Sequence, residues 1–343
     1  MKENKERIVL DVAYQPQVRT NMDTRRIMLN VILALIPALA VSVAQAGFAA
    51  LITVIVSMAS AVFYEWAYRK LMKKDSSIGD LSACLTGLLL AMTLPAGAAW
   101  WLPLVGNLFA IVVVKQLYGG IGKNFLNPAL AGRAFLLASY ALLMSRWFVP
   151  SALAGEVDAV TMATPLSYLY GEAELPAYYS FRALFLGTIP GCFGEVSKLA
   201  LLAGGMYLMA RKIISWRIPV SFMGTVALLT LIFGHEGYDN VSWMLYNLLS
   251  GGLFLGAIFM ATDYATSPVT LPGQLLFGFG CGALTVLIRY FGSYPEGVTY
   301  AILIMNLCTW AIDKAFCRHQ FGVSKEDIAA EMAAKKAAKE AAK

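Results

Sequence analysis

The chain has 343 residues, of which 59% are hydrophobic and only 14% charged, with a formal net charge of +6. A soluble domain of this size carries about 25% charged residues, so the shortfall points to lipid as the main solvent and argues against an ordinary water-soluble enzyme. Five cysteines (Cys84, Cys192, Cys281, Cys308 and Cys317) are scattered through apolar runs with no C-x-x-C pair, which suggests neither a disulfide framework nor a thiolate metal cage.

The first 26 residues are polar, and the apolar run after them is about 20 residues long, enough to span a bilayer rather than to be cleaved as a leader. From there the hydropathy pattern predicts ten spans, at about 27–46, 48–68, 81–95, 100–117, 127–148, 183–210, 217–234, 243–261, 272–291 and 298–316. Each is expected to be helical, because lipid leaves an open chain no other partner for its backbone donors and acceptors. The third span is short and ends at Pro95. The expected fold is therefore an all-α polytopic membrane protein.

Charge sets the expected orientation. With the N-terminus in the cytoplasm, every Lys and Arg except Arg133, Arg146, Arg182, Lys198 and Arg289 falls on the inner side. This is the positive-inside pattern, and it accounts for the basic charge through membrane anchoring, without nucleic acid. The expected organisation is a cytoplasmic segment (1–26), a first five-helix half (27–148), an extracytoplasmic loop (149–182), a second five-helix half (183–316) and a cytoplasmic tail (317–343). The tail, "EDIAAEMAAKKAAKEAAK", reads as a water-exposed helical spacer.

The halves carry a faint internal repeat. Thr86-Gly87-Leu88-Leu89-Leu90-Ala91 aligns with Gly251-Gly252-Leu253-Phe254-Leu255-Gly256, each in the third span of its half. An odd number of spans per half makes the copies cross in opposite directions, the pattern of inverted repeats around a midplane pathway. The plainer reading is close helix packing at Gly252-x-x-x-Gly256 and Gly278-x-x-x-Gly282.

Soluble-type catalytic motifs are missing. No Walker loop is present, "GFGCG" lies inside an apolar span rather than after a strand, and His235 and His319 belong to no triad-like set. Ionisable residues within spans are functional candidates by default: Glu65, Arg133, Glu195, Lys198 and Asp313. Glu195 and Lys198, three apart, are placed to pair. Arg133 is placed to reach the inner surface or to bind a phosphate-bearing or anionic group. Asp80 and Asp263 flank the repeat elements on the inner side and read as helix-end solvation rather than a cation site.

One polar stretch stands out in the long outer loop. In "DAVTMATPLSYLYG", Asp158, Thr161, Ala163 and Thr164 fit D-x-x-[ST]-x-A-T, and Pro165 follows. This resembles the flavinylation motif, in which a transferase attaches FMN through its phosphate to the last Thr. A Thr hydroxyl is a weak nucleophile that needs an external base or metal; the small Ala163 leaves room for the modifying enzyme, and Pro165 stiffens the exit.

Together, "YGGIGKNFLNPALAGRAFL", "TGLLLAMTLP", "TMATPL", "PGCFGEVS" and "FMATDYATSP" resemble the D subunit of the Rnf complex, from about Arg25 to Phe316. That complex couples electron flow between ferredoxin and NAD to sodium or proton translocation. The same stretches are similar to the homologous B subunit of the sodium-translocating NADH:quinone oxidoreductase, although the short N-terminus is more like the Rnf protein. The resemblance implies ten helices in two inverted five-helix halves, as in urea transporters. It implies covalent FMN on Thr164, with Asp158, Thr161, Ala163 and Pro165 completing the motif; Met162 departs from the Gly often found there. It also implies a second, non-covalent flavin, riboflavin, expected near Thr86 and Gly87. The partners implied are a flavin transferase, iron–sulfur and flavin subunits, and other membrane subunits, all at a bacterial inner membrane. On this reading the chain is one component of a translocase rather than a complete enzyme. Alternatives from other classes are a non-redox channel or transporter of the same fold and a purely structural scaffold.

Overall fold

The computed structural model describes residues 22–95, 98–145, 147, 164–171, 175–176, 179–188, 191–195, 197–235, 237–292 and 296–316. Every regular element among them is helical, and one isolated antiparallel bridge pairs Pro95 with Cys192. Three helices are each long and apolar enough to cross a membrane: Thr24–Ala46, Ala50–Leu71 and Leu271–Phe291. A fourth candidate is the pair Asn240–Leu249 and Leu253–Met260, bent by 63°. The exterior of the bundle is apolar, with Phe48, Ile55, Leu228, Phe233 and Phe291 exposed. Apolar surface on helices of this length suits lipid, and the described residues are those of a helical membrane protein.

The helices in chain order are α1 (Thr24–Ala46), α2 (Phe48–Leu71), α3 (Ser82–Met92), α4 (Leu102–Asn107), α5 (Pro128–Ser139), α6 (Ala141–Met144), α7 (Pro165–Leu169), α8 (Phe181–Leu186), α9 (Lys198–Ala210), α10 (Arg217–Phe233), α11 (Asn240–Leu249), α12 (Leu253–Leu255), α13 (Leu271–Phe291) and α14 (Val298–Phe316). α4 runs on as a π-helical stretch, Leu108–Gln116, and α12 does so over Gly256–Met260. Such wide turns are rare, and those that occur are frequently at functional sites.

Local chemistry explains the boundaries. Asp23 caps α1, accepting from the Thr24 amide at 2.8 Å. Asn127 caps α5, accepting from the amides of Ala129 (3.0 Å) and Leu130 (3.3 Å), with Pro128 at the first helical position. α1 and α2 are joined by Gly47 alone, at φ +76°, a conformation costly for a residue with a Cβ.

Three predicted spans differ from the structure; the run at about 127–148 is interrupted at Tyr140, between α5 and α6. The run at about 183–210 is not one helix: α8 ends at Gly187 (φ +93°), and α9 starts only at Lys198. The run contains Gly187, Gly191, Gly194 and Pro190, and these breakers outweigh its hydropathy. The run at about 243–261 breaks at Gly251, φ +71°. There Arg289 of α13, only 1% exposed, donates to the carbonyls of Asn247 (2.6 Å) and Ser250 (3.4 Å). It supplies partners that the interrupted α11 leaves open.

The glycines set close crossings. A Cβ on Gly204 would lie 2.2 Å from the Ala34 carbonyl oxygen, where α9 meets α1. On Gly278 it would meet Ile218 O at 2.8 Å, and on Gly282 Phe222 O at 2.9 Å, where α13 meets α10. On Gly256 it would meet Val298 Cγ1 at 2.5 Å. The close-packing reading of these motifs therefore holds. The main core gathers residues from both ends of the sequence, with Leu88, Met92, Phe193, Leu255 and Phe277 buried in one cluster.

Candidate functional site

Two cavities lie at opposite ends of the bundle, joined by α5. Pro128 and Ala129, at the start of α5, line one, and Leu137, near its end, lines the other. Nine residues of helix separate Pro128 from Leu137, about 14 Å along the axis.

The first cavity sits at the basic end, where α2 finishes with Arg69 and Lys70 and α9 is followed by Arg211 and Lys212. Ser82, Leu85, Thr86 and Leu89 present one face of α3 to it, at helical spacing. Opposite stand Lys115, Asn124, Asn127 and Asp263. Asn127 ties the start of α5 to the π stretch after α12 here, donating to the Met260 carbonyl at 3.1 Å. Burial pushes the Asp263 carboxyl up, while the Thr266 hydroxyl, the Ala265 amide, the charge of Lys115 and the Asn124 amide oppose that rise. Asp80, just before α3, accepts from the Ser82 amide at 2.8 Å and from the Ser82 hydroxyl at 2.5 Å. Gly87 faces away, against Ser57, Met58 and Ala61 of α2.

The second cavity, of about 270 Å³, contains Thr164. Its walls are mostly apolar, with Leu137, Met144, Trp147 and Tyr300, and its polar groups include Ser167 and Glu296. Thr164 is the N-cap of α7, and Pro165 takes the first helical position. The Thr164 hydroxyl is 2.9 Å from Ser167 Oγ and accepts from the Ser167 amide at 3.4 Å; only 5% of the residue is exposed. Leu166 and Leu169 seat α7 against Trp243. Tyr170, just beyond, donates to Asn247 Oδ1 at 2.5 Å, and burial pushes its hydroxyl above the usual phenol range. Asp158, Thr161 and Ala163 lie outside the described residues.

Between the cavities, Arg133 forms an ion pair with Glu296 and donates to Cys192 Sγ at 3.6 Å. The Cys192 thiol in turn donates to the Thr93 carbonyl at 3.1 Å. Arg133 thus points to a protein carboxylate rather than to the inner surface. Of the other ionisable residues, Glu65 is fully buried and paired with Lys115. Asp313 accepts from the amides of Val269 and Thr270 at the start of α13. Lys198 is buried in the first turn of α9, and the side chain of Glu195 lies outside the described residues. Sequence reasoning missed Lys115, counted only among the inner-side charges although it falls within the span predicted at about 100–117, and Glu296. The signal for Lys115 was its position directly after the apolar run "LFAIVVV".

The sequence profile of the NQR2, RnfD, RnfE family matches residues 11–322. The chain belongs to this family. It is 46% identical over 319 residues to the D subunit of the Na(+)-translocating ferredoxin:NAD(+) oxidoreductase complex of Acetobacterium woodii, covering 92% of this chain and 96% of that protein. It is 41% identical over 324 residues to the D subunit of the proton-translocating ferredoxin:NAD(+) oxidoreductase complex of Clostridium ljungdahlii, covering 92% and 97%. The D subunit of the ion-translocating oxidoreductase complex of Escherichia coli is 34% identical over 341 residues, covering 89% and 96%. The family match spans both cavities, the Arg133–Glu296 pair and Thr164.

Proposed function

We propose that this chain is the D subunit of an ion-translocating ferredoxin:NAD oxidoreductase complex, that it carries FMN as a phosphoester on Thr164, and that it relays electrons coupled to the movement of Na⁺ or H⁺. The observation that carries the reading is the position of Thr164. Its hydroxyl belongs to the D-x-x-T-x-A-T stretch and opens onto a cavity of about 270 Å³. The cavity fits the group: Trp147 and Tyr300 suit a flat aromatic ring, and Thr164 suits a tether at its rim. When bound, flavin supplies one- and two-electron transfer, and the protein supplies position and electrostatics. Because the hydroxyl is buried beneath α7, the transferase acts before Pro165–Leu169 is seated or when it lifts away.

The cavity at the basic end, about 90 Å³ with its walls as they stand, is the place proposed for the second, non-covalent flavin, whose ring system it admits only when those walls part. Thr86, Asn124 and Asn127 give it polar contacts, and Leu85, Leu89 and Phe259 give it apolar walls. With the basic end in the cytoplasm, Thr164 lies on the outer side. The architecture proposed is ten spans in two inverted halves, 27–148 and 183–316, with the loop at 149–182 outside and both terminal segments, 1–26 and 317–343, inside. Three packing relations support the inversion: α2 packs on α3 and α4 as α10 packs on α11 and α13, the π stretch after α4 packs on α5 as α13 packs on α14, and α1 crosses α9.

The test is ultraviolet fluorescence of the denatured, gel-separated chain from native membranes, with mass analysis of the peptide containing Thr164. A flavin-phosphate mass on Thr164, absent in Thr164→Ala, is the expected result. A bare Thr164 peptide from an active complex overturns the reading.

A further inference from the structure

The cavity at the basic end is reached by an unbroken chain of side-chain hydrogen bonds. Lys115 closes the π stretch after α4 and is 3% exposed. Its Nζ donates to Glu65 Oε2 at 2.7 Å and to Ser82 Oγ at 2.6 Å. Two arms lead outward from these contacts. The Ser82 hydroxyl donates to Asp80 Oδ1 at 2.5 Å, and the other oxygen of Glu65 accepts from the Ser77 hydroxyl. Ser77 and Asp80 are half-exposed, whereas Glu65 and Ser82 are buried. Lys115 and Ser82 also line the cavity. An ammonium has three donors. Two are taken here, and among the described residues the third has no protein acceptor within hydrogen-bond distance.

We infer that Lys115 is the proton donor to a redox ligand in this cavity, reloaded from water through Ser82–Asp80 and Glu65–Ser77. The inference rests on the reading of the cavity as a flavin site. Electrons come from the one-electron carriers of the complex. Lys115 Nζ gives one proton to a ring nitrogen of a flavin that has accepted two of them, breaking the Nζ–H bond and forming a ring N–H bond. Lys115 then recovers a proton that enters at Asp80 and crosses the Ser82 hydroxyl, or one that enters at Ser77 and crosses Glu65. A buried ammonium also stabilises negative charge gained on reduction. The charged groups that face this centre are Glu65, Arg69 (3.9 Å from Glu65), Asp80 and Asp263. A merely structural Lys115–Glu65 pair needs neither a free donor nor a solvent-facing arm.

The test is a redox titration of the assembled complex over a range of pH, following each flavin by its absorbance. Lys115→Met is expected to lower the midpoint potential of the non-covalent flavin and to leave that of the covalent flavin unchanged; Lys115→Arg, which keeps the positive charge but does not release its proton, is expected to restore the potential but not the rate of reduction. Ser82→Ala and Asp80→Asn are expected to leave the potential in place but slow reduction several-fold at alkaline pH, where protons are scarce. Lys115→Met with its non-covalent flavin retained and an unchanged potential overturns the inference. Should Lys115→Met fail to assemble, unaltered rates at every pH in both Ser82→Ala and Asp80→Asn overturn it. A wild-type chain that releases no non-covalent flavin on denaturation defeats the flavin reading of the cavity itself, a separate outcome.

Discussion

Arg133, midway along α5, is paired with Glu296 at the foot of α14, so a buried cation between the two cavities is neutralised from the rim of the one that Thr164 lines. The pair ties together residues 163 positions apart. Removing one partner strands a buried charge, which costs about 3–5 kcal/mol, whereas replacing both with apolar residues is often neutral. Glu296→Ala is therefore expected to lower the thermal unfolding midpoint of the detergent-solubilised chain sharply. The double variant Arg133→Met with Glu296→Leu is expected to recover most of that loss. Equal losses in the single and double variants would show that the pair is not what holds α5 to α14.

Thr164 has two duties that substitution separates. Its hydroxyl is the N-cap of α7 and also the group proposed to carry FMN. Thr164→Ala loses both: no covalent flavin, and about 1 kcal/mol of local stability from the missing cap. Thr164→Ser keeps a hydroxyl in the same place and is expected to keep the cap and a measurable share of covalent flavin. Fluorescence of the denatured band reports the flavin, and proteolysis near Pro165–Leu169 reports the cap. A serine variant with an intact cap and no flavin would mean that the transferase reads the methyl group as well as the hydroxyl.

The break between α11 and α12 depends on Arg289 in a comparable way. Its guanidinium donates to the carbonyls of Asn247 and Ser250, which lipid cannot satisfy. Hydrogen bonds from a charged group contribute about 1.5–3 kcal/mol each. Arg289→Met is expected to destabilise the bundle by roughly that amount or more and to speed hydrogen exchange at Tyr246–Ser250. Arg289→Lys, with one compact head in place of a fork, is expected to recover only part of the loss.

What the sequence made legible was set by the range of the forces involved. Apolar runs fix helices locally, and most described helices fall within a few residues of their predicted positions, with α14 over the same residues. Breaks at Gly187 and Gly251 were harder to see, because hydropathy averages over a window and a single left-handed residue does not. Lys115, near the end of the span predicted at about 100–117, was counted only as an inner-side charge, since charge counting cannot tell that the π stretch turns it inward toward Glu65. The motif ending at Thr164 is contiguous and was visible at once. The cavity beside it was not, because its walls come from α5, α6 and α14, and its carboxylate, Glu296, gains meaning only through Arg133. Glu65, in contrast, was legible as a candidate from the cost of a carboxylate in an apolar helix.

The crossing of α10 and α13 gives the sharpest packing test. Gly282 lies against α10, where a Cβ would come 2.6 Å from Thr225 Cβ and 2.9 Å from Phe222 O. Backbone and a β-branched neighbour cannot yield cheaply, so Gly282→Ala must push the helices apart. Overpacking of this kind costs about 1–3 kcal/mol. Gly224, on α10 itself, has nothing within 4 Å of an added Cβ. Gly224→Ala adds helix propensity of about 1 kcal/mol at no steric cost. The two alanines are therefore expected to move the unfolding midpoint in opposite directions, down for Gly282→Ala and up for Gly224→Ala. A Gly282→Ala variant as stable as the native chain would mean that α10 and α13 do not cross this closely in the membrane.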